Sequence, residues 1–151
     1  MALIAIAVAW SLVLGVGFWL SRPISGWWRW VFIGVLVVLL VAMTTPPDVI
    51  RAVKALVERI LPMLESLEPG GGASVAVHVV LFALVAGLTA HLRRDLGLAR
   101  LLPGLVALAA GIEGVQWFVD GRYASWGDVG TNVVGVGLGL LACWLVGWLA
   151  R

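Results

Sequence analysis

Residues 113 to 132, EGVQWFVDGRYASWGDVGTN, hold Glu113, Gln116, Arg122, Asp128 and Asn132 in a chain otherwise rich in Leu, Val, Ala, Gly and Trp. Two carboxylates, two amides and a guanidinium suit a polar headgroup. A guanidinium grips phosphate through parallel donors, while Glu113 and Gln116 can bond sugar hydroxyls or an amine. His78 adds a group able to take up and release a proton near neutral pH. With Glu113 it could form an acid/base pair acting on a lipid phosphate or amide. His78, Glu113 and Asp128 could also ligate a divalent cation, but none has the local spacing of a zinc site. No metal and no cofactor is therefore expected. No activated nucleophile stands out either: Ser125 has the position of a helix cap, and Cys143 lies in an apolar run.

Spacing puts these groups on shared faces. Glu113 and Gln116 are i, i+3, and Asp128 and Asn132 are i, i+4, so each pair lies on one side of a helix. The link DGRYASW is short enough to make the two helices antiparallel neighbours. Their polar faces then oppose one another beneath Arg122. Ser125 and Asp128 have the spacing of a capping box, with Ser125 as N-cap. Gly135 and Gly139 continue the Asp128–Asn132 face as a small-xxx-small pair that permits close helix contact. Bland roles compete: Arg122 can pair with Asp120 or Asp128 at the surface, and Gln116 and Asn132 can tie helices together. Glu113 is harder to dismiss, because a carboxylate inside a membrane costs about 3 kcal/mol and marks a functional candidate. It is expected to be charged, paired with Arg122 or His78, and the least replaceable polar residue.

The elements that position these groups follow from composition. The chain has 151 residues, 62% hydrophobic and 12% charged, with a mean hydropathy of +1.09. Soluble domains carry about 25% charged residues, so the expected class is an all-α membrane protein. The net charge of +2 comes from scattered basic residues, without the basic stripe that nucleic-acid binding needs. A span takes about 20 apolar residues. Five are expected, over 2–20, 28–44, 73–90, 101–119 and 127–149, in a single membrane domain. No basic residue precedes the first and no small-residue cleavage site follows it, so it reads as a retained helix rather than a signal peptide. Pro103 falls in the first turn of the fourth span, where proline is tolerated.

Between the second and third spans, Val49, Ile50, Val53, Leu56, Val57, Ile60, Leu61 and Leu64 recur at helical spacing. Asp48, Arg51, Lys54, Glu58, Glu65 and Glu68 take the other face. An interfacial amphipathic helix is expected over 48–68, bent at Pro62. Arg22, Arg29, Arg93, Arg94, Arg100 and Arg151 share one side of the bundle, which the positive-inside rule makes cytoplasmic. That puts the N-terminus outside and the C-terminus in the cytoplasm. Trp19, Trp27, Trp28, Trp30, Trp144 and Trp148 would form the inner belt, and Trp117 and Trp126 the outer one; Trp10 falls mid-membrane. Helical rise then puts Glu113 and Asn132 roughly 9 Å below the outer surface, with His78 at a similar depth.

HVVLF at 78–82, E-x-x-Q at 113–116, GR-x-x-S-x-x-D at 121–128 and N-x-x-G-x-x-x-G at 132–139 together resemble the VanZ-like family over roughly residues 73 to 140. Members are small bacterial membrane proteins, and the founding one is linked to low-level teicoplanin resistance. The resemblance implies a bacterial cytoplasmic-membrane protein that handles a lipid-linked envelope precursor or a glycopeptide antibiotic. Members often carry an Asp-Lys pair just before the histidine, where this chain has Ser74 and Val75. A subunit of a larger membrane complex, and an enzyme acting on a lipid headgroup, are the competing expectations. The candidate ligand set is His78, Glu113, Gln116, Arg122, Asp128 and Asn132, with membrane lipids as surroundings; in the subunit reading the same cluster is structural and ties spans three to five together.

Overall fold

The computed structural model describes residues 2–52, 72–119 and 121–149. They form five α-helices, with no strand among the described residues: α1 (Ala2–Ser21), α2 (Trp27–Thr44), α3 (Gly72–Leu92), α4 (Leu98–Gln116) and α5 (Trp126–Leu149). Segments Trp27–Thr44, Val75–Leu92, Leu98–Gln116 and Trp126–Leu149 are each long and apolar enough to cross a membrane. The apolar stretch Ile6–Ser21 of α1 is shorter. The expected helix over 48–68 lies mostly outside the described residues. Its first turn is seen as helix at 47–52, with an Arg51–Asp48 ion pair.

Helix ends follow from local chemistry. Gly26 and Gly97 sit at φ 65° and 66°, a region that L-residues rarely enter, and start α2 and α4. The Gly97 carbonyl accepts the Arg100 and Leu101 amides at 3.3 and 3.2 Å, so α4 begins three residues earlier than expected. It also ends three earlier, at Gln116. There the chain tightens into i, i+3 turns, Phe118 N–H to Val115 and Val119 N–H to Gln116. Gly121, at φ 76°, reverses it. Two expectations change in consequence. Pro103 lies inside α4 rather than in its first turn. Glu113 is three residues from the helix end, roughly 4.5 Å of rise rather than 9 Å.

The interior is built by Phe32, Leu36, Leu39 and Met43 of α2, Phe82 and Val85 of α3, Leu105 and Ile112 of α4, and Val136 of α5. α3 and α5 make the closest pair. A Cβ on Gly135 would stand 2.6 Å from the Val79 carbonyl oxygen, and one on Gly139 would overlap that of Ala83. The small-residue row predicted on α5 thus meets Ala83 and Gly87 of α3, which is why the backbones can touch. Outward faces stay apolar: Leu12, Val38, Val80, Leu84 and Leu141 are all exposed. The tryptophans assigned to the two belts are exposed as well. Trp10 is half-buried, and its indole N–H donates to Thr44 Oγ1 at 3.2 Å. That bond ties α1 to the end of α2 and accounts for an indole at mid-helix.

Candidate functional site

The polar groups gather where α2 and α4 end and α3 and α5 begin. Asn132, fully buried, is the hub. Its Nδ2 donates to Glu113 Oε1 at 2.9 Å, and its Oδ1 faces His78 Nδ1 at 2.8 Å. A carboxylate only accepts, so Glu113 orients the amide. Asn132 Oδ1 then accepts from His78 Nδ1–H, and Nε2 makes no hydrogen bond among the described residues. Glu113 Oε1 is also 3.8 Å from His78 Nδ1. Three helices are therefore joined by one chain, Glu113–Asn132–His78. Glu113 is 2% exposed although it sits close to its helix end, so packing rather than depth along α4 buries it. Its second oxygen, Oε2, has no hydrogen-bond partner among the described residues.

Arg122 was expected to meet Glu113, or else Asp120 or Asp128. Asp120 lies outside the described residues, and neither Glu113 nor Asp128 is its hydrogen-bond partner. Nε donates to the Thr45 carbonyl at 3.1 Å and Nη2 to the Ala42 carbonyl at 3.0 Å. The cause lies in α2. A helical carbonyl is satisfied by the amide four residues on, and position 46 is a proline without an N–H. The Ala42 oxygen is thus orphaned by Pro46, and Arg122 supplies the missing donor at the negative end of the helix. A Cβ built on Gly121 would stand 3.5 Å from the Pro47 ring, so the loop lies close over the end of α2. Burial pulls the Arg122 guanidinium below its ordinary value, against the fields of Glu113 and Asp128. Its Nη1 group makes no hydrogen bond among the described residues.

Above this layer is a cavity of about 330 Å³ whose wall includes His78, Gln116, Arg122 and Asp128. Glu113 and Asn132 are buried and connect to it through His78. Gln116 makes a long contact from Nε2 to Met43 Sδ, 3.8 Å. Ser125 caps α5, with the Gly127 amide donating to its Oγ at 3.0 Å. The return bond of a capping box is not made, so the Asp128 carboxylate is left to the cavity wall. Gly135 and Gly139 serve the α3–α5 contact below the site. Sequence reasoning missed Arg51, Tyr123, Pro47 and Ile50, which also line the cavity. Pro46-Pro47 after Thr44-Thr45 was the available signal, since it announces unpaired carbonyls in need of a donor. Among the described residues, no group of three His, Cys, Asp or Glu side chains could hold a metal ion.

A second arginine was missed in the same way. Arg93, 6% exposed, donates from Nη1 to the Leu20 carbonyl at the end of α1 at 2.7 Å. Its Nε and Nη2 form a bidentate pair with Asp95 at 2.8 and 2.7 Å.

Helices of this length and apolarity suggest a multi-pass membrane protein. Compared with protein families, characterised proteins and solved structures, the chain matches none of them.

Proposed function

We propose that this chain is a VanZ-like protein of the bacterial cytoplasmic membrane whose outer cavity binds the phosphate-bearing headgroup of a lipid-linked envelope precursor. In this reading five spans, oriented by the arginine-rich turns, put the N-terminus outside and the C-terminus in the cytoplasm. One observation carries the reading: Arg122 is held in the cavity wall by the Ala42 carbonyl of α2 and the Thr45 carbonyl just past its end, with Nη1 unbonded among the described residues. A guanidinium fixed in advance loses little freedom on gripping a phosphate, which favours binding. Arg51 adds a second cation, and Gln116 and Asp128 can bond sugar hydroxyls. A volume of about 330 Å³ is within the usual range for a small-molecule site. The test is photo-crosslinking of a polyprenyl-phosphate probe to reconstituted protein. Labelling near Arg122 that falls in Arg122→Gln supports the site, and labelling indifferent to that change removes it.

A second reading, a membrane enzyme, is favoured by the Glu113–Asn132–His78 chain. It holds Nδ1–H inward and leaves Nε2 as a base, the geometry for proton abstraction from a water or hydroxyl beside a bound phosphate. Turnover of the same probe, lost in His78→Gln while crosslinking persists, would separate catalysis from binding.

A further inference from the structure

At the opposite end of the bundle a second cavity, about 370 Å³, lies between α1, α2, α3 and α4. Its walls are apolar: Leu12 and Val16 from α1, Phe32 and Leu36 from α2, Leu105 and Leu108 from α4. Thr89 also lines it, but its hydroxyl is bound to the Val85 carbonyl at 2.6 Å. That leaves Arg100 as the charged group in the wall. Arg100 is exposed, belongs to the first turns of α4, and makes no side-chain hydrogen bond or ion pair among the described residues. The cavity is therefore an apolar slot with, at its polar end, a guanidinium that is unpaired among the described residues.

We infer that this slot is a phospholipid site, seating one acyl chain against α1, α2 and α4 with the lipid phosphate on Arg100. Three features select that occupant. The exposed α1 residues beside the opening, Leu12 and Val16, are apolar, so the slot opens toward lipid rather than water. Its lining extends from Leu12 to Leu20 on α1 and from Arg100 to Leu108 on α4, roughly 12 Å of helix rise along which an acyl chain can lie. Its single cation stands near the helix ends, where a guanidinium can pair with a headgroup phosphate through two donors. The site is independent of the Arg122 cavity, at the other end of the bundle, and holds or fails without it. Its effect is to fasten α1, whose own packing leaves this gap, to the rest of the bundle.

Gly104 offers the means of closing it. Gly104 lines the slot, and a Cβ built there meets nothing within 4 Å, so Gly104→Leu starts a bulky side chain in open space beside it. The protein is reconstituted in vesicles containing phosphatidylglycerol with a photoreactive acyl chain, and labelled positions are mapped by mass spectrometry. Label is expected to concentrate on residues 12–20 and 101–108, and to fall several-fold in Gly104→Leu. Arg100→Gln, on an exposed side chain and so free of folding effects, is expected to cut labelling about fivefold. It should also abolish the preference over a diacylglycerol probe without phosphate. Label spread evenly over all apolar helix faces, or unchanged by Gly104→Leu, would overturn the acyl-chain slot. A phosphatidylglycerol preference that survives Arg100→Gln would overturn the phosphate seat.

Discussion

Arg122 and Ala42, eighty residues apart, are joined by a hydrogen bond of 3.0 Å from guanidinium to carbonyl, because Pro46 has no amide to offer that oxygen. The bond locks the α4–α5 loop onto the end of α2 and sets the cation in the cavity wall. Removing the side chain should cost about 1.5–3 kcal/mol, as for other hydrogen bonds to charged groups. The distinctive consequence is a coupling. Pro46→Ala restores an N–H in register with Ala42, so Arg122→Ala should destabilise the Pro46→Ala protein by clearly less than the wild type. Thermal unfolding of the four proteins in detergent measures the coupling, and strict additivity would mean the carbonyl is not what holds Arg122.

Asn132→Ala should be more damaging than Glu113→Gln. The first leaves both His78 and Glu113 buried without their partner, at a cost of about 1–3 kcal/mol. The second keeps an acceptor oxygen for Asn132 Nδ2 and should leave the fold intact while removing the charge. A Glu113→Gln protein that unfolds as readily as Asn132→Ala would assign the chain a purely structural role.

The α3–α5 contact predicts a sharp contrast among glycines. Gly139→Ala drives a methyl into the Ala83 carbonyl and should cost about 1–3 kcal/mol through overpacking. Gly137→Ala, with nothing within 4 Å of its Cβ, should be neutral or slightly stabilising, since alanine is the better helix former. Melting temperatures of the two variants check this, and equal values would place α3 and α5 further apart.

The Arg93–Asp95 pair gives a pH dependence at the other end. Hydrogen bonds from Arg93 hold the Asp95 carboxyl below the usual carboxylate range. Its folded value is thus lower than its unfolded value of about 3.9. The stability it contributes is complete above that unfolded value and is lost as pH falls through the folded one. Asp95→Asn should remove this part of the acid-side loss, leaving a flatter profile below about pH 4. Unchanged profiles would mean the pair is as easily made in the unfolded chain.

Much of the site could be read from spacing alone. Glu113 with Gln116, and Asp128 with Asn132, share faces because 3.6 residues make a turn, and the short loop between their helices forces the faces together. Where α4 stops was not readable, since Trp117, Phe118 and Val119 are as apolar as the helix before them. Only the Gly121 reversal and the tight turns preceding it end the helix. The partner of Arg122 was hidden for a different reason. Asp120 and Asp128 are near in sequence, whereas the orphaned Ala42 carbonyl is a backbone group on another helix. The partner of Arg93 is hidden too: the Leu20 carbonyl is open because the Ile24 amide, four residues on, turns to Ser21 instead, and no proline marks that position.

The most direct test of the Arg122 site is a distance between its guanidinium and phosphorus. Protein with 15N-labelled arginine is reconstituted with polyprenyl phosphate, and 31P–15N dipolar dephasing is recorded. A guanidinium bound to phosphate puts nitrogen and phosphorus on the order of 4 Å apart, so strong dephasing is expected in the wild type. It should fall clearly in Arg122→Gln while the protein's melting temperature still shows a folded bundle. Dephasing that is absent in the wild type, or that persists undiminished in Arg122→Gln, would contradict a phosphate site at this cavity.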